Sequence, residues 1–184
     1  MEWKDLIRTR KTCREYFAGQ ITTAQLKAIL EAACAAPVAR GKFEDLQLTV
    51  VQDPALLAKI DDAARQAFGD PEASCTRGAP TVIVVSAREQ EGQISPMMVA
   101  SAACAMENMH LAATDLGLGS VCLGSIQTIN SSLEIMYKLE LQDGFWPVLA
   151  LGVGNAAVSV SETRSIPMTK IYTNILEQQE EEAE

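Results

Sequence analysis

The hydrophobic pattern is densest between residues 96 and 125, PMMVASAACAMENMHLAATDLGLGSVCLGS. Positions 97 to 105 are nearly all small residues or methionine, so the pattern predicts a helix buried all round. Ser95 before Pro96 reads as an N-cap with proline in the first turn, where a missing N–H costs nothing. Leu116-Gly117-Leu118 reads as a left-handed C-cap, with Leu118 folding back onto the last turn. The helix is then about 20 residues, roughly 30 Å by its rise per residue. Glu107, Asn108, His110 and Asp115 interrupt it, which favours a buried soluble helix over a membrane span. Its small side chains permit close backbone approach, as at the centre of a dimer.

The flanking pattern places the other elements. Trp3, Leu6 and Ile7 share one face of a short helix over 2–10. Thr22 and Gln25 form a capping-box pattern, followed by Leu26, Ile29, Leu30, Ala33 and Cys34 at helical spacing; Pro37 ends that helix. Beyond a loop at 37–45, Leu46, Leu48 and Val50 alternate as in a half-buried strand over 46–53. Asp53-Pro54 caps a helix to about Phe68, with Leu56, Leu57, Ile60 and Ala64 on its apolar face. A loop at 69–79 precedes the continuous apolar run Pro80 to Ser86, the signature of a strand covered on both faces. Ser120 to Leu123 predicts another strand, Thr128 or Asn130 a cap for a helix to about Leu139, and Trp146 to Val153 a last strand. Strands and helices in this order predict an α/β or α+β fold, its sheet sandwiched by helices.

Composition narrows the class. A chain of 184 residues that is 48% hydrophobic suits one domain, placed at 1–176 with an acidic, disordered tail at 177–184. The net charge of −9 includes five tail glutamates, leaving −4 on the body. That argues against a nucleic-acid-binding protein, which needs a basic face to neutralise phosphates. The five cysteines at 13, 34, 75, 104 and 122 contain no C-x-x-C pair and read as buried reduced thiols, with no metal site or disulfide framework. With no basic-then-apolar signal pattern in the first residues, the expected setting is cytoplasmic.

One dense basic cluster stands out, RTRKTCR at 8–14, where Arg8, Arg10, Lys11 and Arg14 flank the Thr12 hydroxyl. Cations beside a hydroxyl donor suit a phosphate or another oxyanion, and a solvated helix end gives the same pattern. Gly117-Leu-Gly-Ser120 lies at a helix exit, so it is no Walker or dinucleotide loop. A strand bounded by Gly119 and Gly124 can lay bare backbone N–H groups against a flat ring, or serve as a tight helix-to-strand turn. His110 reads as a partly buried helix residue, since a lone histidine makes no metal site. Cys122 reads as packing, and Met97, Met98, Met106 and Met109 as interface filler.

These segments together resemble the FMN-dependent nitroreductase family. Arg10-Lys-Thr-Cys-Arg14 is similar to the family's Arg-Arg-Ser-Val-Arg motif, Ala36-Pro37 to the start of its Ala-Pro-Ser loop, and Ala79 to Val85 to its central strand. Glu107-Asn108-Met109, Leu111-Ala-Ala113 and Leu116 to Ser120 resemble its most recognisable block, and Pro147 to Gly154 its last core strand. The resemblance implies an α+β sandwich with a central mixed sheet flanked by helices, in a homodimer; the apolar segment Ile171 to Leu176 so near an acidic end predicts a C-terminal arm swapped onto the partner subunit. It also implies FMN at the subunit interface, reduced by NAD(P)H in a ping-pong cycle and reoxidised by a small organic acceptor such as a nitroaromatic or quinone. By that resemblance Arg10, Lys11 and Thr12 hold the phosphate and ribityl chain, joined by Arg14, and Arg164 reaches the phosphate. Leu123 and Gly124 present backbone to the flavin edge, and Pro37, Val38, Ala39 and Arg40 complete the cofactor set. The flavin carries the chemistry, so no catalytic side chain is required.

The chain departs from the family in three places. The Ala-Pro loop continues as Val38-Ala-Arg-Gly-Lys-Phe-Glu-Asp45 in place of a Ser and Asn-x-Gln-Pro-Trp pattern, losing side-chain amides and gaining Arg40 and Lys42. Those two cations are candidates for the flavin pyrimidine or a nicotinamide phosphate. Ser101 replaces a common aspartate, and Glu162 a second basic ligand. The alternatives are a flavin-binding dimer of this fold with little or no turnover, and a structural dimer without cofactor.

Overall fold

The computed structural model describes residues 2–174; the tail expected at 177–184 lies outside the described residues. The elements run α1 (Trp3–Thr9), α2 (Thr23–Cys34), β1 (Leu46–Val51), α3 (Pro54–Phe68), β2 (Thr81–Arg88), α4 (Pro96–Asp115), β3 (Gly119–Leu123), α5 (Leu133–Lys138) and β4 (Phe145–Gly154). Short 3₁₀ turns fill the 39–45 loop and Gly124–Ser131. Local chemistry explains the helix ends. Thr22 and Gln25 form the full capping box, and Ser95 Oγ accepts from the Met98 N–H. At the far end of α4, Gly117 takes φ +72. The Gly117 and Leu118 N–H groups then bond the carbonyls of Thr114 and Ala113 at 3.0 and 2.9 Å, closing the last turn.

The four strands pair antiparallel in the order β1-β2-β4-β3, an α+β sheet flanked by helices. A mixed sheet was expected, but all four strands run antiparallel to their neighbours, and the one parallel pairing among the described residues is a bridge between Thr12 and Ser120. The unbroken apolar run of β2 has a direct cause. Ile83, Val85 and Ala87 face a core built with α2 and α4, while Val82 and Val84 face a second core under α3, α5 and the 124–131 segment. Either face left polar would put an unsatisfied group in an interior. Pro147 is tolerated in β4 because β3 pairs only with Ala150 to Gly154, so no ladder bond is lost there.

Three further expectations change. First, α4 is not buried all round: Met97, Ala100, Cys104 and Glu107 form an exposed stripe at helical spacing, because one chain supplies a layer on only part of the helix. Met98, Met106 and Met109 lie in the core; of the four methionines expected at an interface, Met97 is the exposed one. Second, no helix starts at Thr128 or Asn130. The amides of Gln127 and Asn130 donate to the carbonyls of Val148 and Pro147, at the end of β4 that β3 leaves unpaired. That segment stays a 3₁₀ turn, and Ser132 Oγ caps α5 instead. Third, Cys13 and Cys75 are buried but Cys34, Cys104 and Cys122 are exposed. No described helix is long and apolar enough to cross a membrane.

Candidate functional site

The basic cluster is stitched onto the edge of the sheet. β3 is an edge strand, and the chain after α1 runs beside it: the Cys13 N–H donates to the Ser120 carbonyl at 2.9 Å, next to the Thr12–Ser120 bridge. Glycine at 119 makes this approach possible, since a Cβ there would stand 2.6 Å from Cys13 Sγ. The segment then crosses to the chain beyond β4, where Phe17 N–H donates to Asn155 and Ala157 N–H to Glu15. Arg164 arrives from the far end of the described chain, its N–H donating to the Arg8 carbonyl at 3.2 Å. Cations from residues 8–14 and from 164 therefore share one corner of the molecule, with Thr12, Arg14 and Arg164 exposed and Lys11 half-buried.

Arg10 differs from its neighbours. Its side chain turns onto α4, with Nη1 3.5 Å from His110 Nε2 and Nε 3.7 Å from Glu107 Oε1. His110 is 2% exposed, fully buried where partial burial was expected. Burial first, and then the Arg10 charge, push its pKa down to about 4, opposed by hydrogen bonds to the backbone of Lys11 and Ser120. The ring is neutral at neutral pH. Sequence reasoning missed His110 and Glu107 as partners of Arg10; their one-turn spacing was visible, but which element would cover them was not.

At the other end of β3 the backbone opens. Val121 and Leu123 point into the α3 core, so Leu123 offers main chain and not side chain outward. A Cβ on Gly124 would meet nothing within 4 Å. Cys122 faces the Glu107 side and is exposed, not the packing residue expected, because the outer face of an edge strand has no layer over it. Burial and then the Glu107 charge raise its thiol pKa, which keeps it protonated and weakly nucleophilic.

Pro37, Val38, Ala39 and Arg40 form a separate group. The Ala39 N–H donates to Ser101 Oγ at 3.0 Å, and the Ser101 hydroxyl donates to the Met97 carbonyl at 2.8 Å. Serine at 101 is thus the anchor of this loop. Arg40 is held at φ 57, a left-handed value unusual for a long side chain. Arg40 and Lys42 line a cleft of about 250 Å³ with Gln90, Ser95, Met97 and Met98. Ser101 lies six to nine residues from Glu107 and His110, roughly 9 to 14 Å along the α4 axis. The loop is therefore anchored about two turns of α4 or more from the residues that hold Arg10.

The family model described as "Nitroreductase family" matches residues 7–155, a span holding the basic segment, α4, β3 and β4. The chain belongs to the nitroreductase family. An Archaeoglobus fulgidus protein with the provisional name NADH dehydrogenase/NAD(P)H nitroreductase is 35% identical over 121 residues, 65% of each chain. The chain thus spans about two thirds of the length of the curated relative it matches. Among solved structures, a Bacteroides fragilis nitroreductase with bound FMN superposes with TM-score 0.81 at 25% identity, covering 96% of this chain and 100% of that one. A Desulfitobacterium hafniense nitroreductase with bound FMN gives 0.79 at 20% identity, covering 93% and 96%, and speaks for the fold.

Proposed function

We propose that this nitroreductase-family chain is an FMN-dependent oxidoreductase, working as a homodimer in the cytoplasm, that passes electrons from NAD(P)H to a small nitroaromatic or quinone acceptor in a ping-pong cycle. The observation that carries the reading is β3 itself. Cations gather beside Ser120 and the main chain lies open at Gly124, four residues or about 13 Å along the strand. An elongated molecule with an anionic phosphate at one end and a flat ring at the other fits such a strip. Lys11, Arg14, Arg164 and the Thr12 hydroxyl supply donors for the phosphate. The Leu123–Gly124 backbone faces the ring edge without a side chain in the way. FMN held there would supply the redox chemistry between the reduced nicotinamide and the acceptor, so the chain's task is to bind and orient.

A second copy accounts for the split site. The exposed stripe of α4 carries Met97, beside the Arg40–Lys42 cleft, at one end and Glu107, beside Arg10, at the other. In an isologous pair crossing antiparallel on this stripe, the 37–40 loop of one protomer comes to the basic corner of its partner. Arg40 and Lys42 then stand where a flavin pyrimidine or a nicotinamide phosphate would be met.

The test is the visible spectrum after incubation with FMN and removal of excess. Retained flavin absorption that bleaches anaerobically with NADH or NADPH, and returns with an added quinone, is the expected result. A colourless protein overturns the reading. Retained flavin that neither nucleotide bleaches replaces it with a flavin-binding dimer that lacks turnover.

A further inference from the structure

His110 is the chain's single histidine, and the function above gives it no task. A leucine would fill the same interior without burying two ring nitrogens. Its ring is polar on several sides: Arg10 Nη1 lies 3.5 Å from Nε2, Glu107 Oε2 lies 3.8 Å from Nδ1, and the backbone of Lys11 and Ser120 hydrogen-bonds to it. A guanidinium has donors only, so Nε2 facing it must be an acceptor and the ring must be neutral. Glu107 also holds Arg10, at 3.7 Å and half exposed, but as an anion it competes with any anionic ligand for the guanidinium charge. A neutral acceptor fixes the same group and leaves its charge available.

We propose that His110 is the positioning residue of Arg10: from beneath the basic segment it holds the guanidinium against the end of β3 without adding a second negative charge to that of Glu107, for the anionic end of the cofactor. This rests on the FMN reading above. The groups facing the ring are Arg10 from the end of α1, Glu107 from α4, and the Lys11 and Ser120 backbone, with Cys122 of β3 beyond Glu107.

The experiment compares FMN and riboflavin dissociation constants by flavin fluorescence for the full chain, His110→Gln, His110→Asn and His110→Leu, with circular dichroism to confirm folding. Glutamine can place an acceptor near Nε2, while asparagine is too short. We expect Leu and Asn to weaken FMN about tenfold, as for loss of one hydrogen bond to a charged group, with Gln within about threefold of the unsubstituted chain. Riboflavin, which lacks the phosphate, should change by less than about twofold in all three. The unsubstituted chain should also lose FMN affinity relative to His110→Gln as the pH falls toward about 4. Equal loss of FMN and riboflavin, or Gln as weak as Asn, overturns the proposal. So does undiminished FMN binding by a folded Asn or Leu variant, with the FMN reading left standing. An unsubstituted chain that binds no FMN removes that reading and this one together.

Discussion

Arg10 and His110, a hundred positions apart, meet with Nη1 3.5 Å from Nε2. The contact joins the end of α1 to the second half of α4, and the arginine charge adds to burial in keeping the histidine neutral.

The pH dependence of stability follows with a definite sign. Burial and the Arg10 charge hold the folded pKa of His110 at about 4, below the ordinary imidazole value of 6.5. Its contribution is present above about pH 6.5 and is lost as the pH falls toward 4, because the unfolded chain binds the proton first. The loss is on the order of 3 kcal/mol over that window. Urea midpoints measured across it should fall more steeply for the unsubstituted chain than for His110→Gln.

Gly119→Ala forces a Cβ to 2.6 Å from Cys13 Sγ and 3.0 Å from Ala156 Cβ. We expect a loss of about 2 kcal/mol by urea unfolding, typical of overpacking. Adding Cys13→Ala removes the sulfur and should restore part of it.

Ser101→Ala removes the acceptor of the Ala39 N–H. The expected stability loss is about 1 kcal/mol, with faster amide exchange confined to the 38–41 loop. Unchanged exchange at Ala39 would show that Ser101 does not anchor it.

Arg164→Ala tests the phosphate end of the proposed site. FMN affinity should drop by about tenfold or more, the value of one charge-assisted hydrogen bond. Riboflavin affinity should stay level, as checked by fluorescence titration.

Ala100→Glu with Cys104→Glu places two carboxylates on the exposed stripe of α4, the face on which the proposed pair would meet. Light scattering should report a monomer where the unsubstituted chain gives a dimer. A dimer that survives would move the interface to another face.

Much of the fold was legible in local chemistry. The span of α4, its serine cap and its glycine exit follow from a few adjacent residues, since each depends on hydrogen bonds within one turn. The two-sided burial of β2 was equally plain, because the whole run is apolar. The basic cluster at 8–14 could be seen, but an oxyanion site and a solvated helix end look alike until something packs beside them.

Tertiary structure decided the rest. Only the packing of α1 on α4 sets His110 against Arg10, and only the edge position of β3 turns Cys122 outward and opens Gly124. The 124–131 segment stays out of an α-helix because its amides answer carbonyls left unpaired on β4, a need that no window of sequence displays. The residues along the chain determined which groups were available and where each element begins and ends. Which groups meet was settled by long-range burial, because a side chain's charge and reach depend on the neighbour that removes its water.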